Sequence, residues 1–428
     1  MKVYYSLYGR MLDIRALYSG FKKVWRAKGA AGIDGQSLSD YALDLENNLK
    51  QLQHELQTRQ YQPQPVKRVE IPKDGGGVRL LGIPAVRDRI VQQALLDILQ
   101  PIFDPDFHPS SYGYRPKRSC HDAISKATLF IRQYDRRWVV DMDLSKCFDK
   151  LDHDLIIEGV RRRVTDGSIL RLLRQFLCSG VMVGNHWEAS EIGSPQGGVI
   201  SPLLANIYLD AFDQEMKRRN HRLVRYADDI LILCSSKAGA MNALASATQI
   251  LEKDLKLTVN RAKTHIAHSN DGVKFLGVEI GSRHTRIQEK KLKGLKQKVR
   301  QLTKRNGGKN LTEVIRQLNP VIRGFANYFS IADCSRQLKA LASWIRRRLR
   351  AVQLKLWKKP ARLHRWLKQQ NYRPPFEYIK MNSWRNSASP LANFAMPNKW
   401  FVEQGLFQLE GVRTGWLAPS VYQHQKRG

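Results

Sequence analysis

Asp228 and Asp229 stand side by side in Arg225-Tyr226-Ala227-Asp228-Asp229-Ile230-Leu231-Ile232. Adjacent carboxylates repel unless a cation or solvent offsets them, and Mg²⁺ is held by one or two carboxylates together with substrate phosphates. Upstream, Trp138-Val139-Val140-Asp141-Met142-Asp143-Leu144 again carries an apolar run into acids, with Phe148 and Asp149 just beyond. Acids on two elements suit two-metal phosphoryl transfer, because ions about 3.5–4 Å apart must be bridged by groups from more than one element. Taken alone, the Asp-Asp pair is better explained as a solvated turn.

Strand ends would have to position these acids. Leu223-Val224 and Ile230-Leu231-Ile232-Leu233 are strand-like, so Asp228 and Asp229 should sit at a hairpin tip. Together the two stretches suggest a polymerase palm. Tyr226-Ala227-Asp228-Asp229 resembles the signature tetrapeptide of reverse transcriptases, and the Asp143 stretch resembles the motif that supplies their remaining metal ligand. Asp141 and Asp149 compete for that role; the resemblance selects Asp143, which stands before an apolar-x-x-x-Phe run. Further motifs follow in the family's order: Lys28–Gly35, Ser111–Pro116 and Gly193–Leu203. The chain resembles group II intron-encoded reverse transcriptases and maturases of the bacterial type lacking an endonuclease.

That resemblance implies an α+β fold: a right-hand polymerase whose fingers and palm hold a mixed or antiparallel sheet, followed by an α-helical thumb or maturase domain. It implies an RNA-directed DNA polymerase that also binds its intron RNA for splicing and for retrohoming by target-primed reverse transcription. Mg²⁺ would be held by Asp143, Asp228 and Asp229, and the partners would be intron RNA, an RNA template, a DNA target or primer, and deoxynucleoside triphosphates. The boundaries read as an N-terminal extension and start of the fingers over 1–65, fingers and palm over 66–285, thumb or maturase domain over 286–370, and a basic-aromatic DNA-binding tail over 371–428. Two alternatives share these features: a related enzyme domesticated for defence or DNA repair, and a non-catalytic RNA-binding splicing factor. Intact acids at both motifs oppose the second.

Val66–Pro84 has two alternating runs around Gly75-Gly76-Gly77, a hairpin that brings Lys73 and Arg79 near one tip. The residues fit a solvated basic turn; the resemblance makes them a clamp on the incoming triphosphate. By the same resemblance Phe148 excludes a ribose 2′-hydroxyl, Gln196 in Pro195-Gln196-Gly197 lines the nucleotide pocket, and Lys263 protonates pyrophosphate. A core Phe, a bare loop and a surface lysine fit these residues as well. Arg115 could hold the template or cap local carbonyls. Val273–Ile280 reads as a strand pair resembling the motif that grips the primer end.

Lys and Arg number 72 against 38 Asp and Glu, a formal charge of +34, while 42% of residues are hydrophobic. A folded, strongly basic chain points to a polyanion such as RNA or DNA. No apolar run approaches the roughly 18–20 residues of a membrane span, and the start lacks signal-peptide order, so a cytoplasmic protein without membrane attachment is expected. Five scattered cysteines argue for reduced thiols. Between Asp333 and Glu377 there is no acid, and Arg346, Arg347, Arg348, Arg350, Lys358 and Lys359 interleave with Trp344, Trp357 and Trp366. Cations neutralise phosphates and aromatics stack on unpaired bases, which makes this stretch the expected RNA surface; some of the Trp residues fit helix packing.

Overall fold

The apolar runs beside the acids form strands in the computed structural model, which describes residues 2–72, 77–184, 186–194, 197–373, 375–376 and 378–418. By internal contacts the chain divides into two units, Met1–His268 and Ser269–Gly428. The strands of the first are β1 (Val66–Pro72), β2 (Val78–Ile83), β3 (Trp138–Met142), β4 (Val181–Val183), β5 (His186–Glu188), β6 (Arg222–Tyr226), β7 (Asp229–Cys234) and β8 (His265–His268).

One sheet has the order β6-β7-β3-β8, every pair antiparallel. β7 and β3 are its inner strands, so Val139, Val140, Met142 and the run Ile230–Leu233 are shielded on both faces and almost wholly buried. Each such side chain contributes about 1.5–3 kcal/mol of transfer free energy. The helices Cys120–Arg132, Ser201–Arg218 and Lys237–Gln249 pack on this sheet. The first of them starts where Ser119 accepts from the Asp122 backbone N–H and Asp122 accepts in return, a capping box that satisfies two orphan donors.

The register fixes where the acids go. Tyr226 pairs with Asp229 across a two-residue turn, and Met142 pairs with Ile230. One step further along that register Asp143 comes beside Asp229. The expected hairpin tip is therefore present, at the same sheet end as the second acidic stretch. A second sheet, β2-β1-β4-β5, holds the expected hairpin: β1 and β2 run antiparallel from Lys67↔Ile83 to Pro72↔Val78.

In the second unit β9 (Val273–Phe275), β10 (Val278–Ile280) and β11 (Thr285–Ile287) form an antiparallel sheet of order β11-β10-β9. This small sheet, which the sequence boundaries put in the palm, groups by contacts with the helices that follow. Those helices are Glu289–Leu302, Leu311–Phe329, Ser335–Trp357 and Pro360–Gln369. Leu338, Leu341, Ala342, Ile345, Leu349 and Val352 recur at helical spacing and bury one stripe of the third. Among the described residues no helix is long and apolar enough to cross a membrane.

Candidate active site

Ala227 opens the β6–β7 turn at φ +57°, a conformation that glycine would usually supply. The strain, of order 1–2 kcal/mol for a residue with a Cβ, is held by a buried network. Arg225 and Asp213 both have wholly buried side chains and form a two-oxygen ion pair, with Arg225 Nε 2.9 and 2.8 Å from the two carboxylate oxygens and Nη2 2.6 Å from one. Arg225 Nη1 also donates to Asn206 Oδ1 and to the Ala227 carbonyl, each at 3.0 Å. The guanidinium thus ties the acidic turn to the helix Ser201–Arg218. Asn206 continues the chain by donating to the Gly113 carbonyl at 2.9 Å.

The segment around Gly113 lies along β6. Tyr112 N–H donates to the Arg225 carbonyl, and Arg225 N–H to the Ser110 carbonyl, both at 2.9 Å. A Cβ at Gly113 would stand 2.2 Å from the Ala227 nitrogen, so only glycine permits this approach. Arg115 does not face outward for a template. It is buried, pairs with Asp104 at 2.8 Å, and donates to the carbonyls of His108, Ser111 and Asp104. Of the two uses expected for Arg115, capping of local carbonyls is the one found.

Asp143 leaves the end of β3 into a second cradle. Its N–H donates to Thr264 Oγ1 at 3.2 Å and its carbonyl accepts from Asn260 N–H at 2.8 Å. Its carboxylate accepts from Asn260 Nδ2 at 2.8 Å and from Lys263 Nζ at 3.2 Å. Asn260 and Thr264 were not singled out in the sequence, although the motif that contains Lys263 runs through them. Burial, with the charge of Asp143 added, raises the pKa of Asp228. Packing around Asp229, then the charges of Asp228, Asp141 and Asp143, push its carboxyl up to about 6. Asp141 also rises to about 6, chiefly by burial, with His265 opposing and Asp143 adding.

The upward shifts of Asp141, Asp228 and Asp229 mark a cluster of hard oxygen donors whose repulsion a divalent cation would relieve. Among the described residues no group of three or more His, Cys, Asp or Glu is gathered so that it could hold a metal ion by itself. An open donor set of this kind suits an ion that keeps water and phosphate ligands.

Arg79 lies within electrostatic reach of Asp228 and opposes the rise of its pKa. Its expected partner Lys73 lies outside the described residues, as does Gln196. The loop that leads to Gln196 is anchored beside Phe148: Ser194 N–H donates to the Phe148 carbonyl at 2.8 Å, and Gly193 N–H to that of Leu151 at 2.8 Å. Phe148 is partly buried on a short 3₁₀ turn, Cys147–Lys150.

The second unit separates the expected RNA-binding cations. Arg347, Lys358 and Lys359 are exposed. Arg346 is instead paired with Glu410. Arg348 donates from Nε to Thr303 Oγ1 at 2.6 Å and lies over the rings of Trp344 and Trp384. Arg350 is buried, donates from Nε to the Met396 carbonyl at 2.9 Å, and has its pKa lowered to about 10, first by burial and then by Arg346. These three differ from the exposed cations: Arg346 and Arg350 adjoin the apolar stripe of their helix, and all three guanidiniums have partners within the protein. Some tail aromatics also pack, with Phe401 buried and Trp416 Nε1 donating to Ser330 Oγ at 3.1 Å, while Phe394 is exposed; Tyr422 lies outside the described residues.

Residues 71–280 match the family "Reverse transcriptase (RNA-dependent DNA polymerase)", and residues 292–372 match "Group II intron, maturase-specific domain". Protein YkfC of Escherichia coli strain K12 is 37% identical, over 61% of this chain and 79% of its own length. The group II intron-encoded protein LtrA of Lactococcus lactis subsp. cremoris is 27% identical, over 80% of this chain and 73% of its own. A putative COX1/OXI3 intron 2 protein of Saccharomyces cerevisiae is 28% identical, over 63% of this chain and 38% of its own.

Proposed function

The chain belongs to the group II intron reverse transcriptase and maturase family, whose members use divalent metal ions, and from that premise we propose how its residues divide the work of RNA-directed DNA synthesis. The observation that carries the proposal is the meeting of Asp143, at the end of β3, with Asp228 and Asp229 at the β6–β7 turn, where the charge of Asp143 raises the pKa of both neighbours. These three would hold Mg²⁺, which, when bound, supplies activation of the primer 3′-hydroxyl and charge stabilisation at the transferring phosphorus. Asn260 orients the Asp143 carboxylate. Arg79, together with Lys73, grips the triphosphate, and Gln196 lines the pocket. Phe148 meets the sugar and excludes a 2′-hydroxyl. Lys263, already beside the acids at 3.2 Å from Asp143, is placed to deliver a proton to the pyrophosphate.

The exposed cations of the second unit support a further part of the proposal: binding of intron RNA, and with it splicing and target-primed insertion at a DNA site. Asp143→Asn and Asp228→Asn are expected to abolish cDNA synthesis while RNA affinity stays near wild type, because this charge serves the reaction and the RNA is held elsewhere. Primer extension and RNA binding on the same preparations check this. Near-normal extension by both variants would sink the assignment.

A further inference from the structure

A gate that excludes a hydroxyl by contact must not yield, and Phe148 has an aromatic contact that could stiffen it. Tyr114 meets its ring edge-on, with centroids 6.2 Å apart and planes at 81°. Tyr114 itself remains 51% exposed, so burial of its own ring does not explain its placement. The backbone does. Tyr114 sits at φ +57°, a left-handed conformation that a bulky residue adopts only when its surroundings impose it. On one side Gly113 is wedged against Ala227 and tied to Asn206; on the other, buried Arg115 holds the Ser111 and His108 carbonyls. The phenol lies within electrostatic reach of Asp228, Arg79 and Asp229, which puts this ring on the reactive side of the turn.

We infer that Tyr114 is the backstop of the sugar gate: a positioning residue whose ring holds Phe148 in the orientation that meets the 2′ position, so that sugar discrimination belongs to the pair. The inference rests on the reading of Phe148 as that gate. An unsupported Phe can turn about χ1 and give way to a modest clash, whereas a ring pinned edge-to-face by a neighbour with a fixed backbone cannot turn without losing that contact. The same network that shapes the Asp228 turn then also sets the wall of the nucleotide pocket, since both hang on Arg225 and Asn206.

The test is single-nucleotide extension with ribo- and deoxyribonucleoside triphosphates, giving a ratio of kcat/KM for Phe148→Val, Tyr114→Leu, Tyr114→Phe and the double variant Phe148→Val/Tyr114→Leu, with thermal unfolding of each. Tyr114→Leu is expected to raise relative ribonucleotide use on the order of tenfold, a size typical of a change in side-chain fit. Tyr114→Phe, which keeps the ring, should retain the wild-type ratio. The double variant should discriminate no worse than Phe148→Val alone, because two residues acting as one unit are not additive. Should Tyr114→Leu fail to fold, Tyr114→Asn removes the ring while tolerating the left-handed backbone. An unchanged ratio in a folded ring-less variant, with Phe148→Val altered, would overturn the backstop and leave the gate standing. Additive effects in the double variant would also overturn it, by showing that Tyr114 acts without Phe148. If neither single variant moves the ratio, gate and backstop fall together.

Discussion

Arg225 brings five N–H groups and a full charge to a place that water does not reach, and four of them donate to Asp213, Asn206 and the Ala227 carbonyl. Removing one member of such a pair leaves the other charge buried and unpaired, at a cost of about 3–5 kcal/mol. Arg225→Met should therefore lose stability on that scale, and Arg225→Lys should recover little of it, since a point charge cannot reproduce the fork. Arg225→Met combined with Asp213→Leu should regain a substantial part, because the stranded charge is gone. Urea unfolding of the three variants measures this; an Arg225→Met chain as stable as wild type would remove the network from the account. The sequence shows Asp228 and Asp229 through their neighbours, but it hides Arg225, whose partner stands 12 residues away on a helix. A charge inside an otherwise apolar strand is the one local clue, because it has to be paired if the strand is buried.

Elements were the most legible level. Alternation and glycine placement anticipate the β1–β2 hairpin, the β6–β7 tip and the β9–β10 pair, each of which is present. What periodicity could not reveal is the stretch 104–115, which lacks a regular pattern yet lies along β6. It is fixed by Arg115 and by His108, whose Nδ1 accepts from Ser110 N–H at 3.1 Å. Burial, set against Asp213 and reinforced by Lys217, Arg225 and Arg115, lowers the His108 pKa from 6.5 to about 4. The folded state therefore binds fewer protons than the unfolded chain between those values. His108 contributes stability above pH 6.5 that is lost as pH falls toward 4, on the order of 3 kcal/mol in all. His108→Gln should flatten that part of the profile. Unfolding free energies of both proteins from pH 7 to 4 check it, and parallel curves would mean that His108 does not titrate in this way.

For the whole molecule, the 72 basic against 38 acidic residues agree with membership of families that bind RNA and DNA, but composition does not say which cations face outward. In the helix Ser335–Trp357 the apolar stripe through Ile345 and Leu349 brings Arg346 and Arg350 to its margin, where they bind protein partners. Helical spacing held that information, and the count of arginines obscured it. Replacing exposed Arg347, Lys358 and Lys359 with Gln should weaken binding of a structured intron RNA and reduce the slope of log affinity against log salt by about 0.7–0.9 per lost phosphate contact. The fold should be unaffected. Arg350→Gln should instead lower the unfolding temperature. RNA affinity across a salt series with thermal unfolding on each protein distinguishes the two, and an unchanged slope for the triple variant would take these cations out of the RNA interface.

The cradle of Asp143 also has a bearing on time. Its side-chain hydroxyl comes from Thr264, 121 residues later in the chain. At about 5–20 residues per second a ribosome needs roughly 6–24 s to cover that interval. During those seconds the nascent chain carries the first acid of its polymerase centre without the residues that orient it. The sheet that carries the centre is complete only once β8 has been synthesised, so the order of the sequence places the orienting residues after all the acids they serve.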